Sequence, residues 1–215
     1  MMELNKLYLM DCMDGMKTFP DNYFDLAIVD PPYFKNGGSP EYYRSGLGTS
    51  KHKPIVDTWE IPEQPYFDEL FRVSKDQIIW GVNYYAKYIP HQSRIVWDKM
   101  SDNTPFSQCD IASWSKGIKI YQFRYKWNGM IQQDMKNKEN RIHPTQKPIQ
   151  LYKWLLKNYA QPDFKIIDTH VGSGSSIIAF EDYGCDWIGF EIDEDYHKAA
   201  TKRIEQHKQQ PRMQL

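Results

Sequence analysis

The sequence predicts an α/β domain built on a mostly parallel sheet with helices on both faces. Three observations carry this. Apolar runs of strand length alternate with longer segments of helical length along the chain. The run Leu26-Ala27-Ile28-Val29 is aliphatic without interruption, as expected for a strand buried on both faces. Near the C-terminus, Ile166-Ile167-Asp168 turns through Gly172-Ser173-Gly174 into a helical pattern that begins at Ser175.

In chain order, Leu7 to Met10 and Leu26 to Val29 are short apolar runs and read as strands. Phe34 to Ile61 is rich in Gly, Ser, Pro and Lys and reads as one long loop, a length that usually signals function. Pro65 to Val73 is predicted helical, followed by strands at Gln77 to Trp80, Ile95 to Trp97 and Asp110 to Trp114. Tyr121, Phe123, Tyr125 and Trp127 alternate with Gln122, Arg124 and Lys126, the pattern of a strand with one aromatic and one basic polar face. Then follow a helix over Ile149 to Tyr159, a strand over Ile166 to Asp168, a helix over Ser175 to Tyr183, a strand over Trp187 to Phe190 and a helix over Glu194 to Gln206. The residues after His207 are expected to fray.

With 215 residues, 40% of them hydrophobic and 26% charged, the chain is expected to form a single domain over 1–215. No stretch has the length of a membrane span, and the first residues do not make a signal peptide, so the expected location is the cytoplasm. Cys12, Cys109 and Cys185 are odd in number and widely spaced, which argues against a disulfide framework and against a zinc ribbon. No metal site is expected.

Asp30-Pro31-Pro32-Tyr33 closes the second strand, and carboxyl ends of strands are where such sheets place ligands. The two prolines fix the backbone and remove two donors, leaving carbonyls as acceptors beside the Asp30 carboxylate. Several acceptors together suit an exocyclic NH₂ on a nucleobase, whose lone pair is otherwise delocalised into the ring. Tyr33 offers a stacking face, worth roughly 1–3 kcal/mol to a base. Taken alone, the tetrapeptide is equally a strand followed by a rigid proline turn.

The net charge of −1 conceals a basic stretch: Lys116 to Lys147 holds eight cations against two acids. Lys116, Lys119, Arg124, Lys126, Lys136 and Arg141 are candidate DNA contacts there, although a solvated edge strand would show the same alternation. At the other centre, glycines in the turn after Asp168 let backbone N–H groups approach a ligand, and the helix N-terminus favours a carboxylate or phosphate. Glu191 ends the next strand, placed for a ribose diol. Ile177 stands where a dinucleotide motif has its third glycine, so a nucleoside ligand without pyrophosphate fits better, and S-adenosylmethionine has that shape.

Asp30-Pro31-Pro32-Tyr33, His143-Pro144-Thr145-Gln146-Lys147-Pro148 and Asp168 to Ser175 together resemble the motifs of the DNA amino-methyltransferases. The catalytic motif comes first and the cofactor motif last, an order similar to the circularly permuted β-class. The resemblance covers nearly the whole chain, including Leu9 to Met16 followed by Leu26 to Tyr33, and Arg72 to Lys75. It implies a Rossmann-like S-adenosylmethionine-dependent methyltransferase fold, S-adenosylmethionine as cofactor, and double-stranded DNA with a flipped base as partner.

Carried over, Asp30 and the Pro31 carbonyl hold the amine, with Pro32 and Tyr33 completing the catalytic set. Asp168, His170, Gly172, Ser173 and Gly174 take the methionine half of the cofactor, Glu191 its ribose, Asp11 and Cys12 its adenine, and Thr145 and Lys147 its carboxylate. Residues 116–142 correspond to a target-recognition segment. The loop over residues 34–61 is placed to close over the base. Thr169-His170 departs from the family's Pro-Phe; stacking by His170 replaces the apolar ring, with weaker cofactor affinity expected. In this family Asp30 implies adenine N6 and a serine would imply cytosine N4. The alternatives are cytosine-N4 methylation, a non-catalytic nucleic-acid-binding module of the same fold, and an RNA-directed enzyme. The resemblance admits a homodimer and a cognate restriction endonuclease as further partners.

Overall fold

The computed structural model describes residues 2–33, 60–90, 92–104, 107–128 and 131–210. The predicted loop over 34–61 therefore lies outside the described residues except for its last two positions, as does the chain end after 210.

The strands are β1 (Lys6–Leu9), β2 (Leu26–Val29), β3 (Gln77–Trp80), β4 (Ser93–Asp98), β5 (Cys109–Trp114), β6 (Ile120–Arg124), β7 (Trp127–Asn128), β8 (Ile131–Gln132), β9 (Lys165–Asp168) and β10 (Asp186–Glu191). The helices are α1 (Cys12–Met16), α2 (Gln64–Val73), α3 (Val82–Tyr85), α4 (Ile149–Tyr159), α5 (Ser175–Tyr183) and α6 (Glu194–Lys208). An eight-stranded sheet runs β1-β10-β9-β2-β3-β5-β4-β6, and β7 and β8 form a separate antiparallel hairpin. Among the described strands of this sheet, only β5 runs against its neighbours; the remaining pairings are parallel.

Alternation along the central strands divides the core in two. Leu26, Ile28, Ile78, Trp80 and Ile166 point to a layer made with α4, α5 and α6, while Ala27, Val29, Ile79 and Ile167 point to one made with α1, α2 and α3. Strands packed on both faces have no place for polar residues, which is why Leu26 to Val29 reads as an unbroken aliphatic run.

The topology fixes where a ligand belongs. From β9 the chain crosses through α5 to β10 on one side, and from β2 it crosses through α2 to β3 on the other. β9 and β2 are neighbours, so the sheet reverses its winding between them and opens a crevice at their carboxyl ends. Asp168 ends β9 and Asp30 follows β2.

Some expectations shift. The alternating aromatic segment is divided: β6 stops at Arg124 and β7 begins at Trp127, with Tyr125 and Trp127 N–H groups donating to Asp98 and Lys99 carbonyls. β6 is an edge strand, and it pairs with β4 in parallel. Its aromatic side faces the protein: Tyr121 packs on Trp114 and Tyr159, and Phe123 on Trp154. The last helix continues to Lys208, two residues past the predicted end. Its N-cap is Asp193, whose side chain accepts from Asp195 and Tyr196 N–H. None of the described helices is long and apolar enough to cross a membrane.

Candidate active site

A cavity of about 1110 Å³ occupies the crevice. On one side lie Asp30 to Tyr33, Tyr84, Tyr85 and Lys147; on the other lie Asp11, Cys12, Tyr66, His170, Gly172, Ser173 and Glu191. The sequence-predicted catalytic set and most of the predicted cofactor set therefore meet in one space.

The amine side is built on the rigid turn after β2. Lys147 Nζ pairs with Asp30 Oδ2, while Oδ1, also buried, meets no donor within hydrogen-bond distance among the described residues. Burial pushes the Asp30 carboxyl above its ordinary range, and the Lys147 ammonium pulls against that shift. Burial also disfavours the Lys147 charge, but Asp30 and Asp110 outweigh it and raise the lysine. Tyr85 Oη donates to both the Pro31 and Pro32 carbonyls, with 3.2 Å to Pro31. Both carbonyls are acceptors, and each already shares one donor. Tyr33 stacks on Tyr84 with centroids 4.8 Å apart and planes 4° from parallel, so a neighbouring ring already covers one of its faces.

The cofactor side is organised by two carboxylates. Asp168 accepts from Ser176 Oγ at 2.5 Å and His170 N–H at 3.0 Å, bracketing the glycine turn, and burial pushes its carboxyl up to about 7. Glu191 accepts from Gly172 N–H at 2.8 Å through Oε2 and from Asp193 N–H at 2.9 Å through Oε1. A carboxylate carries about four acceptor positions, so each oxygen retains one for a ligand. Gly172 and Gly174 both adopt left-handed φ, of 55° and 77°, which a side chain would resist. Behind the turn, Arg203 donates to Ser173 O and Ser175 Oγ at 2.9 Å each.

Several predicted residues stand elsewhere. Asp168 and Gly174 are behind the cavity wall and act as supports of the turn. The Gly172 and Gly174 N–H groups bond within the protein, to Glu191 and the Val171 carbonyl, so they are not the ligand donors that the glycine pattern suggests. Asp11 caps α1 by accepting from Met13 N–H. Cys12 lines the cavity as a thiol pushed up to about 12 by burial. Thr145 bonds His143 Nδ1 at 3.1 Å at the rim. Lys147, expected at a cofactor carboxylate, binds Asp30 instead, because its ammonium is almost fully buried and requires a carboxylate partner.

His170 packs edge-to-face on Tyr66, centroids 5.5 Å apart, and burial lowers its pKa to about 4, so it is a neutral ring near pH 7. Thr169 Oγ1 lies between Tyr66 Oη and His170 Nδ1, at 2.7 and 2.9 Å. Thr169-His170 thereby fills the turn with a hydrogen-bonded aromatic pair. Tyr66 carried no sequence signal beyond helical spacing. Tyr84 and Tyr85 line the cavity, while Trp80, at the end of β3, is core.

The candidate DNA-contact residues divide into two groups. Lys116 pairs with Asp76 at 3.1 Å, Arg124 with Asp98 at 3.0 Å, and Arg141 Nη2 donates to the Pro144 carbonyl at 2.5 Å. Lys119 and Lys136 are exposed, and Lys126 is half-buried.

A mostly parallel sheet with one reversed strand among the described ones, and a cavity at its switch point, define the Rossmann-like methyltransferase fold. A family model described as DNA methylase matches residues 121–202. The type II methyltransferase M.HinfI of Haemophilus influenzae is 22% identical over 255 residues, spanning 97% of this chain and 70% of that protein. Among solved structures, the M1.HpyAVI–SAM complex superposes with a TM-score of 0.59 at 17% identity, covering 92% of this chain and 98% of that one. PvuII DNA methyltransferase, cytosine-N4-specific, gives 0.60 at 14% identity over 94% and 89%. The chain is thus similar in sequence to DNA methyltransferases and shares the fold of the solved N6-adenine/N4-cytosine type.

Proposed function

We propose that the protein transfers a methyl group from S-adenosylmethionine to the exocyclic N6 amine of adenine in DNA. The observation that carries this reading is the Asp30 carboxylate in the wall of the cavity, with Oδ2 held by Lys147 and the buried Oδ1 without a matched donor among the described residues. A buried acceptor left unmatched costs free energy unless a ligand donor completes it. An exocyclic amine has two hydrogens: Asp30 Oδ1 accepts one, and the Pro31 carbonyl, at 3.2 Å from Tyr85 Oη, has a lone pair left for the other.

The residues present fit the cofactor. Glu191 keeps an acceptor position on each oxygen for a ribose diol, and the neutral His170–Tyr66 pair supplies an apolar wall. When bound, S-adenosylmethionine supplies an electrophilic methyl carbon on sulfur. The protein's part is to hold the amine in line and free its lone pair, with the Asp30 carboxylate as the base that receives the proton displaced from nitrogen. Tyr33 and Tyr84 provide the aromatic surface against which a flipped base rests.

Residues 116–142 are the proposed target-recognition segment, with exposed Lys119 and Lys136 and the β7–β8 hairpin offered to DNA. Adenine is favoured by Asp30, through the resemblance to adenine-specific members. Tritiated S-adenosylmethionine incubated with unmethylated bacterial DNA, which holds every short sequence, tests the reading. Mass spectrometry of the nucleosides is expected to find N6-methyladenine. N4-methylcytosine would replace the base assignment, and label in RNA but not DNA would replace the substrate.

A further inference from the structure

Behind Asp30 lies a row of alternating charges that the methyl-transfer reading does not by itself require. Lys99, just past β4, pairs with Asp110 Oδ1 of β5 at 2.7 Å. Asp110 Oδ2 lies 4.0 Å from Lys147 Nζ, and Lys147 pairs with Asp30 Oδ2. Four separate segments of chain supply these groups. The Lys147 side chain is 2% exposed, and its ammonium also sits 5.5 Å from the centre of the Trp80 ring. A lysine so deeply buried is costly unless its charge has a task.

We propose that Lys147 is the positioning residue of the methyl-transfer step: it holds Asp30 as an anion with Oδ2 occupied, so that Oδ1 alone faces the amine, while Asp110 and Lys99 fix the ammonium in place. The inference rests on the proposed activity and adds to it a device that keeps the acceptor an acceptor. A protonated Asp30 would present an O–H donor and repel the amine's hydrogens.

The surroundings of Asp30 make protonation the danger. Burial opposes its charge, and the Asp110 and Asp168 carboxylates add repulsion. Tyr33, Tyr85 and Tyr152 also face it; all three phenols are raised and stay neutral near pH 7. Lys99 is the other cation that acts on it, and it is already paired with Asp110. Without Lys147, Asp30 therefore takes up a proton at a higher pH, and the fraction in the acceptor form falls about tenfold for each pH unit below that point.

The test is the single-turnover rate of methyl transfer to unmethylated bacterial DNA between pH 6 and 9.5, with saturating cofactor. Lys147→Met is expected to lose about tenfold or more at pH 7 and to recover most of that loss by pH 9.5, whereas the wild type stays level above neutrality. Lys147→Arg, which keeps the charge, is expected to keep the level profile. If Lys147→Met does not fold, Lys147→Gln, which can still donate to Oδ2 without charge, makes the same comparison. A variant whose rate drops equally at every pH overturns the proposal and leaves the activity standing. A wild type that methylates no DNA at any pH overturns both.

Discussion

Gly81 sits in the left-handed region, with φ 75°, immediately before α3, and a Cβ added there would lie 2.5 and 2.6 Å from Cδ1 and Cε1 of Tyr33. Gly81→Ala therefore imposes two separable costs. A left-handed backbone costs an L-residue about 1–2 kcal/mol. The ring must also move off its place against Tyr84, where a stacked aromatic pair is worth about 0.5–1.5 kcal/mol. Together they give a destabilisation of roughly 1.5–3.5 kcal/mol, or roughly 3–14 °C in Tm for a chain of this size. Urea unfolding and thermal melts measure the stability, and labelled methyl transfer measures the consequence for the site. Gly81→Asn separates the two terms, because asparagine tolerates the backbone conformation but carries the same Cβ. It is expected to recover part of the stability without recovering the rate. An alanine variant within 0.5 kcal/mol of wild type and fully active would refute the packing of Tyr33 over Gly81 as the basis of the base platform.

Two further outcomes follow from the carboxylates on the cofactor side. Asp168 is raised from an ordinary 3.8 to about 7, so between roughly pH 4 and 7 the folded chain holds a proton that the unfolded chain releases. Stability from this group falls as pH rises through that window and is level above it; Asp168→Asn removes the slope, on the order of 4 kcal/mol at about 1.4 kcal/mol per unit. Urea midpoints at pH 5 to 8 check this, and identical slopes in the two proteins would contradict it. Glu191→Ala removes a charged acceptor and frees the Gly172 turn, costing about 1.5–3 kcal/mol of cofactor binding, a roughly 10- to 150-fold weaker Kd by calorimetry. An unchanged Kd would remove Glu191 from the cofactor site.

Much of this architecture is legible in the sequence because it depends on local chemistry. Leu26 to Val29 and Ile166 to Asp168 announce buried parallel strands by their unbroken aliphatic character, and each leads to an acid at the switch point. Gly172 and Gly174 announce a tight turn, which the structure confirms by their φ values. What the turn does with its N–H groups is not local: Glu191, 19 residues away, claims Gly172. The same holds for Lys147, 117 residues from its partner Asp30, and for Tyr66, which reaches Thr169 across 103 residues. The alternating aromatics from Tyr121 reveal a two-faced strand, but alternation alone does not say which face is buried. Packing on Trp154 and Tyr159 decides it: the aromatics belong to the core, and only the basic side remains outside. Of the cations on that side, Arg124 is tied to Asp98, a pairing that linear charge counting has no means of seeing.

The central claim is that Asp30 receives the target amine and that the cofactor binds beside it independently. The most direct measurement is Asp30→Ala assayed twice on the same preparation, for S-adenosylmethionine binding by calorimetry and for labelled methyl transfer to DNA. Cofactor binding close to wild type with methyl transfer abolished is the predicted result; transfer by Asp30→Ala at the wild-type rate would contradict the account.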